Sequence, residues 1–452
     1  MKRRDFLKFM GLGAASLALP GCATSPIQTS ANRPNFVIVL CDDLGYGDLI
    51  CYGHPDIKTP NLDKFAAEGM KLTDYYAAAP VCSPSRAGML TGRTPWRCGI
   101  YDWIPANSPM HLQSNELTVA TLLKNSGYAT CHCGKWHCNG KFNSPQQPQP
   151  GDHGFEHWFS TQNNAGPTHL NPKNFVRNGE RVGPLEGYSS ELIVQEAVDW
   201  LGTKWDRAKP FCLFVWFHAP HEPIATAPEF MKMYEDKKEA IYYGNVTQMD
   251  HEFGGLMKTL DEMKLRDKTF VMFTSDNGPE TLNRYRGANS SFGSPGPLRG
   301  MKLHMYEGGI RVPGIIRWPG RTRPGSVSEE PVNGTDILPS LCEMAGVEVP
   351  ADRPIDGTSF LPTLQGGKLK RKVPLYWRYN GALSKPFTVA MRQGDWKILA
   401  DNAMTKFELY NLRKDIAEEH NLAANQPQRL ETMKKTLAKL HSEIDAEGPV
   451  WD

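Results

Sequence analysis

The sequence predicts an α/β fold: a large α/β sandwich on a central, mostly parallel sheet, followed by a small C-terminal domain with an antiparallel sheet and one helix. Three observations predict it. The first is a set of three continuous apolar runs, Asn35-Phe36-Val37-Ile38-Val39-Leu40, Phe211-Cys212-Leu213-Phe214-Val215-Trp216-Phe217 and Thr269-Phe270-Val271-Met272-Phe273-Thr274. Unbroken β-branched and aromatic runs of this length suit strands buried on both faces, as in a parallel sheet covered by helices. The second is the helical pattern between them, at residues 61–68 and 191–201, where Leu192, Val194, Ala197, Val198 and Leu201 form a broad apolar face. The third is a change of texture beyond Thr363-Leu364-Gln365-Gly366-Gly367. Short strand-like pieces at 374–379, 388–392, 396–399 and 407–411 lead there to a helix at 428–444. A chain of 452 residues suits one large core and one companion, divided as 35–365 and 366–452.

The first 22 residues have another purpose. Lys2-Arg3-Arg4 precedes an apolar, small-residue run from Phe9 to Leu19, the pattern of an export signal with twin-arginine character. The run is shorter than the roughly 20 residues that span a bilayer. Leu19-Pro20-Gly21-Cys22 resembles a lipobox, although Pro20 is atypical, and simple cleavage nearby is the alternative. The expectation is an exported protein, periplasmic or anchored to the outer membrane by lipid on Cys22, with residues 23–34 as a linker. Ten cysteines in such a protein invite a disulfide framework, but the fold is too large to depend on one. Cys131, Cys133 and Cys138 lack the second ligand pair of a zinc knuckle and suit buried or free thiols. The charge is balanced, with 51 basic and 49 acidic residues, and no nucleic-acid partner is indicated.

Each long apolar run ends in polar residues: Asp42-Asp43, His218 to His221, and Asp276-Asn277. In open α/β sheets ligands bind beyond the carboxyl ends of the strands, so three strands can direct chemistry into one crevice. Asp42, Asp43, Asp276 and Asn277 are oxygen donors of the kind that hard divalent cations prefer. Carboxylates after strands also cap turns and helices, and for Asp42-Asp43 alone that reading is as good; a second pair ending another strand favours a metal.

The segment Cys82-Ser83-Pro84-Ser85-Arg86-Ala87-Gly88-Met89-Leu90-Thr91-Gly92-Arg93 is the most specific. C-x-P-S-R followed by A-x-x-L-T-G-R resembles the signature of the type I, formylglycine-dependent sulfatases of the alkaline phosphatase-like superfamily, among them bacterial polysaccharide sulfatases and N-acetylgalactosamine-6-sulfatase-like enzymes. The likeness runs in order along nearly all of the chain beyond residue 34. It includes Asp42-Asp43-Leu44-Gly45-Tyr46-Gly47-Asp48, Thr59-Pro60-Asn61-Leu62-Asp63, Gly134-Lys135-Trp136-His137, Ala219-Pro220-His221, Ser275-Asp276-Asn277-Gly278, Leu298-Arg299-Gly300-Met301-Lys302 and Glu307-Gly308-Gly309-Ile310-Arg311-Val312-Pro313.

The resemblance implies a sulfuric ester hydrolase in which a maturation enzyme oxidises Cys82 to formylglycine. Calcium, with magnesium as an alternative, would be held by Asp42, Asp43, Asp276, Asn277 and the modified Cys82. Lys135, His221 and Lys302 would bind the sulfate oxygens and the developing leaving-group charge, and Arg86 would hold the formylglycine diol. One diol hydroxyl would attack sulfur, with a proton from His221 or Lys302 to the leaving alcohol. His137 would then deprotonate the second hydroxyl so that sulfate is ejected.

Specificity is expected in the loops around the crevice, which carry Trp103, Asn163, Asn164, His169, Arg177, Arg284, Arg286 and His304. Aromatic platforms and forked guanidiniums suit a polyanionic sugar, and a sulfated galactan such as carrageenan or a glycosaminoglycan with sulfated galactosamine is the expected partner. Two rivals stand beside this reading. A formylglycine-dependent phosphonate monoester or phosphodiester hydrolase shares the geometry but usually has histidine where this chain has Asn277. A surface glycan-binding protein without turnover conflicts with the intact set Cys82, Arg86, Lys135, His137, His221 and Lys302.

Overall fold

A computed structural model describes residues 33–451. The export signal, the lipobox cysteine and most of the linker lie outside the described residues. The main sheet has ten strands in the order Ser326–Ser328, Met70–Leu72, Gly314–Arg317, Thr269–Ser275, Asn35–Cys41, Phe211–Trp216, Ala129–Lys135, His157–Thr161, Val176–Arg177 and Glu180–Arg181. The five strands from Thr269–Ser275 to His157–Thr161 run parallel, and antiparallel pairings enter on either side of them.

The continuous apolar runs are explained by burial on both faces. Phe36, Ile38 and Leu40 point into one cluster with Phe214, Trp216, Phe270 and Met272. Val37, Val39 and Cys41 point into the other with Leu213, Val215, Val271 and Phe273. The first face is covered by the helices Cys82–Thr91, Val119–Asn125 and Ile337–Ala345, through residues such as Leu90, Leu123 and Leu341. The second is covered by Pro60–Glu68, Ser189–Asp199 and Ala240–Glu262, through Leu62, Ile193 and Phe253. The sandwich expected from the sequence is therefore present, with helices on both sides of the sheet.

Beyond it, Leu375–Arg378, Val389–Gln393, Trp396–Ala400 and Phe407–Asn411 form an antiparallel meander. Met391, Ile398 and Leu409 on one face pack against Met433, Leu437 and Ile444 of the helix Pro427–Asp445. Trp377, Leu399 and Tyr410 on the other face join Tyr76, Cys82, Leu303 and Met305 of the large unit. The small sheet thus packs directly behind the residue singled out as nucleophile.

Two central strands, Ala129–Lys135 and His157–Thr161, and the 23-residue helix Ala240–Glu262 were not among the elements expected from the sequence. The nine described cysteines are all free, and Cys131 and Cys133 lie inside a buried strand with their sulfurs 3.7 Å apart. Gly134, next to Lys135, has φ +114°, and a Cβ there would lie 1.8 Å from the Trp216 carbonyl oxygen on the adjacent strand. Gly134→Ala is therefore expected to cost about 3 kcal/mol through backbone strain. Thermal unfolding measures it, and an unchanged midpoint would show that the two strands can separate without penalty.

Candidate active site

Cys82 begins the helix Cys82–Thr91 after an extended Val81. Pro84 fits in the first turn, where its missing N–H costs nothing, and Arg86 falls four residues on, above Cys82 on the same helical face. The helix is buried throughout, so Arg86 must find its partners inside the protein. Its Nε and Nη2 donate to Asp276 Oδ2 at 3.0 and 2.7 Å, and its Nη1 donates to the Lys135 carbonyl at 2.8 Å. The guanidinium lies over the Trp216 ring, 5.1 Å from its centroid.

The carboxylates come from two adjacent strands whose register pairs Cys41 with Ser275, so Asp42-Asp43 emerges beside Asp276-Asn277. Asp43 takes a left-handed φ of +64° and its N–H donates to Asp276 Oδ1 at 3.2 Å. Asn277 Nδ2 donates to Asp43 Oδ1 at 2.7 Å. Lys135, at the end of a third strand, places Nζ 2.6 Å from Asp42 Oδ2, and Lys302 places Nζ 2.6 Å from Asp43 Oδ2. His221 Nε2 lies 3.4 Å from that same Asp43 oxygen, while its Nδ1 faces the Glu222 carbonyl at 2.6 Å.

Burial opposes ionisation at Asp42, but Lys135, with Arg86 and Lys302 nearby, holds its carboxyl well below the usual range. Burial and the Asp42 charge push Asp276 up to about 7, and burial pushes Asp43 up to about 6. Burial also pushes the Cys82 thiol up to about 11, against the pull of Lys135 and Lys302. His137 is held well below its usual value by burial and by Lys135 and Arg86. Its Nε2 lies 3.0 Å from the Ile104 carbonyl, which can only accept, so Nε2 carries the hydrogen. Nδ1 is then the free lone pair, and it is buried without a partner.

A divalent cation fits these residues. Asp42, Asp43, Asp276 and Asn277 form an all-oxygen donor set, and Asp42 Oδ1 and Asn277 Oδ1 are buried without a hydrogen-bond partner. Donor atoms of Asp42, Asp43 and His221 lie within 4.8 Å of one another.

The sulfatase family matches residues 34–347, and the C-terminal region of the N-sulphoglucosamine sulphohydrolase family matches residues 301–446. The chain belongs to the sulfatase family. N-acetylgalactosamine-6-sulfatase of Canis lupus familiaris is 34% identical over 395 residues, which cover 82% of this chain and 71% of that protein. Arylsulfatase A of Homo sapiens is 33% identical over 475 residues, covering 92% and 89%. The crystal structure of Ps i-CgsB in complex with k-i-k-neocarrahexaose superposes with a TM-score of 0.82 at 28% identity, covering 93% of this chain and 95% of that one. This sulfatase is accordingly a sulfuric ester hydrolase.

The structure sorts the expected substrate residues. Asn164 joins the cluster, with Oδ1 3.3 Å from Lys135 Nζ and Nδ2 donating at 2.7 Å to the Glu222 carbonyl that also faces His221 Nδ1. Trp103 is 46% exposed beside Ile104, whose N–H donates to Ser83 Oγ at 3.0 Å and whose carbonyl faces His137. Arg284 is held by both oxygens of Glu280, at 2.6 and 2.7 Å, and Arg286 is exposed on the same loop. Three expectations fail to meet the cluster, and a fourth, His169, reaches it only through the charge and backbone of His221. Arg177 is bound to Glu196 at 2.9 and 3.1 Å, in an ion group with His157 and Lys204 near the far edge of the sheet. His304 turns its Nδ1 to the Met301 carbonyl at 2.9 Å. His169 is buried behind His218 and reaches Asn245 at 3.4 Å. Asn163 offers the cluster no side-chain bond, its carbonyl instead accepting from Thr161 Oγ1 at 2.5 Å. Glu280 was missed; its Oε2 lies 3.6 Å from Lys302 Nζ, and no motif marks it.

Protons and a cation compete for these carboxylates. Asp43 and Asp276 titrate above an unfolded aspartate, so folding takes up protons between about pH 4 and 7 and stability without metal falls as pH rises through that window. Added calcium is expected to raise the thermal midpoint strongly at about pH 8 and weakly at about pH 5.5. Equal shifts at the two pH values would remove these carboxylates from the cation site.

Proposed function

We propose that this sulfatase removes sulfate from a sulfated galactan or a galactosamine-containing glycosaminoglycan, with formylglycine at position 82 and calcium among Asp42, Asp43, Asp276 and Asn277. The observation that carries the reading is the convergence of Cys82, Arg86, Lys135, His137, His221 and Lys302 on one cluster of buried acids. The substrate class is supported by the galactosamine and neocarrahexaose named for two of the similar proteins. It is supported also by the exposed Trp103 and the Arg284-Arg286 loop, an aromatic platform and forked cations suited to sulfated sugar. The N-terminal export pattern supports a reaction outside the cytoplasm, where such polymers are met.

The modified residue would supply a hydrated aldehyde whose oxygen attacks sulfur, and the cation would supply positive charge to the sulfate oxygens and that nucleophile. A plain thiol is a poor substitute, because burial keeps Cys82 protonated at neutral pH and it has no second hydroxyl. The remaining roles belong to the side chains. Arg86, fixed by Asp276, holds the nucleophile on its helix. Lys135 and Lys302 neutralise sulfate oxygens; burial works against the charge on Lys302, but Asp43 overrides it and holds its pKa well above the usual value. His221, its Nδ1 facing the Glu222 carbonyl, keeps Nε2 directed at the same region as Lys302, and the two flank the leaving oxygen. His137 Nδ1 takes the proton whose removal releases sulfate.

The Cys82 peptide from native-source protein is expected to weigh about 18 Da less than its cysteine form, the change from thiol to aldehyde. The same protein is expected to release sulfate from a panel of sulfated galactans and glycosaminoglycans. An unmodified cysteine in active protein would end the formylglycine mechanism, and modified protein that cleaves only phosphonates or phosphodiesters would end the sulfate assignment. His137→Ala is expected to slow turnover by about 100-fold or more with the fold intact, measured as steady-state kcat.

A further inference from the structure

We infer that Lys397 and Glu418, from the C-terminal sheet and the turn after it, are positioning residues for Lys302. The inference rests on the role proposed for Lys302 and adds a device that sets its place. Lys302 lies on the loop of residues 299–307, which has no regular structure before the short helix Glu307–Ile310. Glu418 holds both ends of that loop. Its carbonyl accepts from Arg299 Nη1 at 2.9 Å, and its carboxylate Oε2 accepts from the Glu307 N–H at 2.6 Å. Gly308 N–H closes the loop on the Arg299 carbonyl at 2.8 Å.

Lys397 locks this clamp. Its Nζ lies 2.9 Å from Glu307 Oε1 and 2.8 Å from Glu418 Oε1, and all three side chains are fully buried. A buried lysine between two carboxylates is costly to form and more costly to break, because removing one partner leaves uncompensated charge. The middle of the loop is tied to the connection between the first two strands of that sheet: Leu383 N–H donates to the Leu303 carbonyl at 2.9 Å, and Met305 N–H donates to Ser384 Oγ at 2.9 Å. On its other side, Lys302 N–H donates to the Pro279 carbonyl and Leu303 N–H to the Pro80 carbonyl, both at 2.9 Å, and Pro80 is two residues from Cys82. The loop therefore spans the gap between the C-terminal sheet and the nucleophile segment, and its outer anchor sets where the ammonium stands.

The test compares full-length wild type, K397M and E418A, with E447Q as a control. Glu447 bonds Arg93 and Arg97 and does not touch the loop. Hydrolysis of 4-nitrophenyl sulfate is followed together with hydrogen exchange. K397M is expected to lose about 100-fold in kcat with little change in KM, since a displacement of about 1 Å costs that much. Exchange is expected to rise in residues 299–307 and to stay level in residues 82–91. E418A leaves Lys397 paired with Glu307, which also bonds Arg311 and Tyr76, and is expected to fold with a loss of about tenfold; it decides the matter if K397M does not fold. E447Q is expected to lower the thermal midpoint and leave kcat and loop exchange as in wild type. Folded K397M or E418A with wild-type kcat, or with unchanged loop exchange, overturns the inference. Wild type that hydrolyses no sulfate ester sinks the catalytic role of Lys302, and the exchange measurement then decides the clamp alone.

Discussion

Three carboxylates buried at the ends of two neighbouring parallel strands impose the arrangement of the whole site. The in-register pairing of Asn35–Cys41 with Thr269–Ser275 leaves Asp42, Asp43 and Asp276 no route apart. Two unit charges about 4 Å apart repel by about 4 kcal/mol at the effective dielectric typical of protein surfaces, and burial makes each carboxylate costlier still. Such a cluster persists only where positive charge is delivered to it. The chain sends cations from three distant segments: Arg86 from a helix, Lys135 from a strand end and Lys302 from a loop. Those cations are also the groups proposed to meet the sulfate, so the charge balance that permits the fold and the proposed anion site share the same residues.

The need to deliver those cations explains features that look unrelated to chemistry. Arg86 can reach Asp276 only because the helix Cys82–Thr91 is buried end to end, which places its first residue, Cys82, in the apolar cluster shared with the C-terminal sheet. Lys302 has no strand or helix to fix it, and the C-terminal sheet supplies what its own loop lacks. The small sheet thus packs against Cys82 on one side and anchors the loop that carries Lys302.

What could be read from the sequence follows from how local each signal is. The strands carrying Asp42, His218 and Asp276 were legible because burial on both faces demands uninterrupted apolar residues. Ala129–Lys135 has the same burial but reads Ala-Thr-Cys-His-Cys-Gly-Lys: His132 is absorbed by Ser160 Oγ at 2.7 Å, and Gly134 permits a close approach to Trp216. The helix Ala240–Glu262 was hidden by buried polar residues, among them Asp250, which accepts from the Asn61 and Leu62 N–H groups at 3.1 and 2.7 Å. The candidate cluster was legible because its spacing is carried in short motifs. The rim was not: Arg177 has the composition of a sulfate ligand, and only the packing of the helix Ser189–Asp199 reveals that Glu196 claims it.

The rim and the catalytic floor also differ in how their charges are satisfied. Floor cations are fully buried and paired with floor carboxylates, so their positions are set before any ligand arrives. Arg284 is partly exposed and held by both oxygens of Glu280, one of which, Oε2, also lies 3.6 Å from Lys302. Glu280 therefore stands between a rim cation and a floor cation and shares its charge between them. An anion that drew Arg284 outward would leave more of the Glu280 charge to Lys302. A rim built of independent surface cations could vary freely without disturbing the floor; here, any replacement of Arg284 also changes the charge that Glu280 presents to Lys302.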